Sequence, residues 1–252
     1  SGFLVGIIEG SSRAFKEQWT GDLMIVNRNE KQYIEHTQDI EGMLTSFPQI
    51  KSYTKRIIAG AKIEANWWEK RKEEDANIVS NQIAGIDPTQ EDETTHLSGE
   101  IAEGEWLKPG DASGIVIGSG YLKEYSRVAD LVSLLHDVHP GTVVRVTVSG
   151  KKSSSGSPVP EDNMTAKEDL STVASVTQDF VVRGILDSKV QFVASRAYIL
   201  DSELKKMLGK SDGDVSEIAI VMNPGVDPYD VKTPLINNGF SDYAKINTAD
   251  EG

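Results

Sequence analysis

The chain has 252 residues, 38% apolar and 26% charged, with 39 acidic against 26 basic side chains and a formal charge of −13. A chain of this length can bury roughly 70–75% of its unfolded surface, enough for a core without staples. The acidic balance argues against a nucleic-acid partner or docking of the whole surface on anionic lipid, both of which need clustered Lys and Arg. The absence of cysteine excludes thiol catalysis, Cys-ligated zinc and disulfides, and no run reaches the ~18–20 apolar residues of a spanning helix.

In chain order, Phe3 to Ile8 is a short apolar stub. Ile8, Phe15 and Trp19 then continue at near-helical spacing and predict an amphipathic helix ending near Thr20-Gly21. Asp22 to Val26 predicts a buried strand. Ile40, Met43, Leu44 and Phe47 recur at i, i+3, i+4, i+7, predicting a helix capped by Asp39 and closed by Pro48. Ile50 to Ala65 reads as one or two strands and Ile78 to Ile86 as the returning strand. Between them Trp67-Trp68 and the charged run to Asp75 form a loop or hairpin tip. Gly85-Ile86-Asp87-Pro88 breaks the pattern, and a helix is expected over Glu91 to Glu103.

Ile115 to Ile117 predicts a strand, and the spacing of Leu122, Tyr125, Val128, Leu131 and Leu135 predicts a helix over Tyr121 to Asp137. Thr142 to Val148 alternates as a half-buried strand should. Residues 151–178, rich in Ser, Pro, Gly and charge at their start, predict a long flexible loop. Strands follow at Phe180 to Leu186, within Gln191 to Ile199 and at Glu217 to Met222. Helices are expected at Ser202 to Leu208 and, interrupted by Pro234, at Asp227 to Asn238.

No pattern assembles an active site. His136 and His139 are three apart, as two metal ligands on one helix face would be, but Pro140 ends that helix and no third ligand is specified. Gly114 to Gly120 joins a strand to a helix as a phosphate loop would, yet it lacks the third glycine of a dinucleotide fingerprint and the Gly-Lys-Ser/Thr of a P-loop. Ser119 lies in Gly-Ser-Gly, too short for a nucleophile elbow. The expectation is a non-catalytic domain without cofactor or metal. The aromatic pair Trp67 and Trp68 is the candidate contact for cargo or a partner.

The order of several phrases carries a resemblance. Thr20-Gly-Asp-Leu-Met-Ile25 follows an amphipathic segment; Phe47-Pro48 and a strand holding Arg56 come next. Ala84-Gly-Ile-Asp-Pro88 with Glu91, Ile101 to Leu107, and Gly114 to Ser119 occupy the middle. Phe180 to Ile185, Tyr198-Ile-Leu and Val215 to Ile220 complete the set. Over nearly the whole chain this resembles the MacB-like periplasmic core domain of FtsX-like ABC transporter permeases, nearest the lipoprotein-releasing group.

The resemblance implies an α+β fold: a porter-like α/β lobe from both chain ends, residues 21–83 and 213–242, with a β-rich lobe inserted at 84–212. Residues 1–20 would be a membrane-proximal helix stub, and 243–252 a polar tail toward the next membrane helix. It also implies a domain on the extracytoplasmic side of the cell membrane. Its partners would be a cytoplasmic ABC ATPase and a second permease subunit, identical or different, and its cargo lipoprotein, lipid, peptide or drug. The alternative is a stand-alone secreted or surface binding module of similar lobes.

Overall fold

The computed structural model describes residues 5–9, 12–27, 33–68, 77–127, 133–150 and 174–242. The fold is α+β, built from an α/β layer and a closed barrel that share one long strand.

The layer comes from both chain ends. Strands β1 (Val5–Glu9), β2 (Leu23–Asn27) and β11 (Ser241–Asp242) form a sheet in the order β11-β1-β2. β2 lies beside β10 (Glu217–Met222), tied by the Asp22 N–H to the Ile220 carbonyl. Gly21 makes this approach possible: its φ is +62°, and a Cβ there would collide with the Ile220 carbonyl oxygen. Helices α2 (Thr37–Thr45) and α6 (Tyr229–Asn237) contribute Ile40, Leu44, Val231 and Leu235 to a core with Leu23, Ile25, Ile218 and Ile220.

The barrel is closed. β3 (Ile50–Ala65), β4 (Ile78–Ile86), β9 (Arg196–Leu200), β6 (Gly114–Gly118), β8 (Ala174–Leu186) and β7 (Val143–Gly150) pair in that order, and β7 returns to β3. Closure leaves these six strands with no free sheet edge along the closed ladders. Alternation along β3 sends Ile57, Ala59, Ala61, Ile63 and Ala65 inward, where they meet Val144, Val146, Val148, Phe180 and Ile199. The three alanines keep the interior narrow enough to fill with side chains. Helix α5 (Asp201–Leu208) packs against β3, β4, β7, β8 and β9 and adds Leu204, Met207 and Leu208 to this core, plugging one end. The short strand β5 (Ile101–Gly104) pairs with β8 outside the ring.

Several expectations change. Residues 5–9 are a strand, and among the described residues the helical segment is α1 (Arg13–Phe15) and the π-helical turn Lys16–Thr20. α2 starts at Thr37 after His36 in the left-handed region, so Asp39 sits in its first turn and is not the cap. The helix expected over 91–103 is α3 (Pro88–Thr95), because Asp87 accepts bonds from the Thr89 and Gln90 amides and Pro88 suits the first helical position. Its expected end becomes a 3-10 turn and then β5, drawn off by pairing with β8.

The helix expected over 121–137 does not form among the described residues. Short 3-10 turns at Ser119–Tyr121 and Lys123–Tyr125 are followed by a bridge between Leu122 and Leu135, closed by Lys123 N–H to the Leu135 carbonyl. The bridge brings the two described ends of this segment together. Residues 191–194 form a helical turn, α4 (Gln191–Ala194), ahead of β9. Of the loop expected at 151–178, residues 174–178 belong to β8, and 151–173 lie outside the described residues, as does the tail 243–252. α6 runs through Pro234. The expected lobe boundary at residue 84 falls inside β4.

Candidate functional site

The joint between layer and barrel is the most elaborated site in the molecule. β3 carries Arg56 where its pairing with β10 ends. Arg56 and Glu91 are both fully buried. The guanidinium donates through Nε to both Glu91 carboxylate oxygens at 3.0 Å and through Nη2 to Oε1 at 2.8 Å. Nη2 also donates to the Trp19 carbonyl at 2.8 Å, and Nη1 to Glu217 at 3.2 Å. The Thr54 hydroxyl donates to Glu91 Oε2 at 2.9 Å, and the Thr95 hydroxyl, which donates to the Glu91 carbonyl at 2.8 Å, lies 3.2 Å from Oε1. Burial works against the Arg56 charge, but Glu91 and Glu217 outweigh it and raise its pKa.

Two cations meet the indole of Trp19. Arg56 lies 3.7 Å and Arg196 4.5 Å from the ring centroid. Arg196 also lies 3.8 Å over the Phe192 ring. Its Nη1 is buried with no hydrogen-bond partner among the described residues, and burial lowers its pKa. The joint therefore ties five segments: the turn after α1 through Trp19, β3, α3, β9 and β10. Removing one partner of such a pair leaves an unpaired buried charge, whereas the intact network fixes one arrangement.

The second candidate lies at the end of β3. The Trp67 and Trp68 rings meet edge to face at 4.5 Å. Trp67 is half-buried, with Arg145 over its ring at 4.3 Å, and Arg145 is in turn paired with Asp179. Trp68 is 55% exposed. The structure thus splits the pair: one ring is fixed to the barrel and the other faces solvent.

The remaining candidates are separated from any joint chemistry. His136 and His139 lie on a loop, each against its own carboxylate, Asp137 at 3.1 Å and Glu103 at 3.4 Å. Glu103 also accepts from Tyr125 at 2.7 Å, and that bond and then His139 hold its carboxyl below the usual range. Among the described residues no group of three or more His, Cys, Asp or Glu could hold a metal. The turn at Gly118-Ser119-Gly120 opens only a three-residue 3-10 helix. Gly118 is needed because a Cβ would strike the Ala194 carbonyl, and Ser119 spends its hydroxyl on Asp187 at 2.8 Å.

Sequence reasoning singled out Arg56 and Glu91 only as words in a phrase, and Arg196 not at all. The available signal was an arginine amid the apolar residues of a predicted strand, Arg56 before Ile57-Ile58 and Arg196 before Ala197-Tyr198-Ile199.

No family model matches the chain, and no curated protein matches it. Among solved structures it is similar to the extracellular domain of the noncanonic ABC-type transporter YknZ from Gram-positive bacteria. That likeness has 13% identity and a TM-score of 0.45, over 92% of this chain and 88% of that one. It is also similar to the periplasmic region of MacB from Actinobacillus actinomycetemcomitans, at 12% identity and a TM-score of 0.49, over 92% of this chain and 80% of that one. Among the described residues no helix is long and apolar enough to cross a membrane.

Proposed function

We propose that this chain is the extracytoplasmic domain of an ABC transporter permease and passes motion between the membrane and cargo, without chemistry of its own. The observation that carries this reading is the joint. The turn containing Trp19, near the start of the chain, is clamped by Arg56 to the strand that the layer and the barrel share. A displacement of the N-terminal segment is thereby delivered to the barrel instead of being lost in a loop. The pairing of β1 with β11 supports it: Gly6 faces Ser241 and Ile7 faces Asp242, so both ends of the described chain lie about one strand spacing, ~4.8 Å, apart. That ladder is parallel, so the reading requires the chain beyond Asp242 to turn back toward the membrane.

In this reading the α/β layer forms the membrane-proximal lobe and the barrel the outer one. Hydrolysis belongs to a cytoplasmic ABC ATPase, and a second permease subunit completes the assembly. The cargo class is lipoprotein, lipid, peptide or drug, and exposed Trp68 is its contact or a partner's. The first test is the coding sequence on either side of this domain, which is expected to encode four membrane helices, with an ABC ATPase co-purifying with the full-length protein. A flanking sequence without membrane helices overturns the reading. Photo-crosslinking from position 68 in the working transporter tests the contact; capture of neither cargo nor subunit removes it.

A further inference from the structure

Strand β3 is paired twice on one side, with a break between. The β10 ladder ends at Arg56 and the β7 ladder begins at Ala61. Among the described residues no strand pairs with positions 57–60 on that side, a gap of about 13 Å at roughly 3.3 Å per residue. The Ile58 N–H there is spent on the Ser216 hydroxyl oxygen. Two hollows, of about 1110 and 330 Å³, meet over the gap and share Ala59, Gly60 and Gln82. A Cβ placed on Gly60 meets nothing within 4 Å. The strand face at Gly60 is thus open, and its amide points to the same side as the Ile58 N–H, toward the gap.

The lining is basic in an acidic protein. Lys62 and Lys210 line the larger hollow and Arg196 the smaller. Among the described residues the one carboxylate lining either hollow, Glu217, is engaged by Arg56. Neither lysine pairs with a carboxylate among the described residues; Lys210 lies 4.7 Å over the Tyr33 ring. Arg196, 6% exposed, has the unpartnered Nη1. Such a group is costly to leave unbonded and gains from an acceptor brought by a ligand.

We propose that this slot binds an extended acidic peptide segment, whose backbone completes the broken edge of β3 while its carboxylates meet Lys62, Lys210 and Arg196. Strand addition supplies the affinity and the basic rim the selectivity. The proposal does not rest on the transporter reading, since it concerns binding by the domain itself.

The test is fluorescence anisotropy with a labelled peptide of about four residues, the length that spans the gap, alternating valine and glutamate. Two counterparts serve as controls: one alternating valine and lysine, and one with central prolines, which cannot donate to a ladder. Saturable binding of the acidic peptide alone is expected, with slowed hydrogen exchange at the Gly60 amide. Gly60→Pro removes the amide that faces the gap and is expected to weaken binding by tenfold or more, an order-of-magnitude expectation for lost strand pairing. The surface pair Lys62→Glu with Lys210→Glu is expected to weaken it about tenfold and leave the melting temperature unchanged. The proposal is overturned by no saturable binding up to about 1 mM, by equal binding of the lysine or proline peptide, or by binding that both variants leave intact.

Discussion

The joint and the tip sit on the same strand and use the same chemistry in opposite ways. At the joint, Arg56 stacks on Trp19 with both side chains removed from water, and every guanidinium nitrogen is bonded. At the tip, Arg145 stacks on Trp67 while partly exposed, and its carboxylate Asp179 is partly exposed too. Burial turns a cation over an indole from a minor surface contact into a fixed coupling. The first holds five segments in one arrangement, and the second leaves its neighbour Trp68 55% exposed.

The sharpest way to break this contrast is at Glu91. Glu91→Ala strands Arg56 in the interior and is expected to cost about 3–5 kcal/mol in chemical denaturation. The double change Arg56→Met with Glu91→Leu is expected to cost less than Glu91→Ala alone, since it removes both charges; a larger cost would mean that the joint is held by its packing and not by its charge balance. Next in size, Trp19→Leu keeps an apolar side chain but removes the ring under two cations, with an expected loss of about 2–3 kcal/mol.

Asp111 and Arg183 form a bidentate pair on the flank of the barrel. The hydrogen bond from Arg183 holds the Asp111 carboxyl below its usual range. A depressed folded pKa means that the stabilisation is present above the ordinary aspartate range and fades as pH falls through the folded value. Asp111→Asn is therefore expected to lower stability by about 0.5–1 kcal/mol at neutral pH and to flatten the acid limb of the melting curve against pH. An unchanged acid limb would show the pair to be incidental. Smallest of all, Trp68→Ala is expected to move stability by no more than about 0.5 kcal/mol, and a larger loss would mean that the ring is a structural element and not a free contact.

Strands with strict alternation were legible in the sequence, β7 through Val144, Val146 and Val148 above all, and so was the amphipathic stripe of α2. What failed were segments whose local pattern was overruled by distant pairing. Tyr121 to Asp137 has helical spacing, but among the described residues its start forms 3-10 turns, and at its end Asn77 accepts from the His136 N–H and donates to its carbonyl. The tail of the expected helix at 91–103 became β5 because β8, some eighty residues on, was there to receive it. The joint was hidden for the same reason: Arg56, Glu91, Arg196 and Glu217 are far apart in sequence, and only the closing of the barrel onto the layer assembles them.

The double use of β3 also dictates an order of assembly. Its hairpin with β4 joins neighbouring segments, but β7 arrives only after residue 143 and β10 only after residue 217. As the chain is synthesised, the edge of β3 that both will occupy stays unsatisfied until nearly the whole domain exists. Such long-range closures favour refolding in milliseconds to seconds rather than microseconds, and a nascent chain stalled before β10 would present that edge to whatever strand it met first.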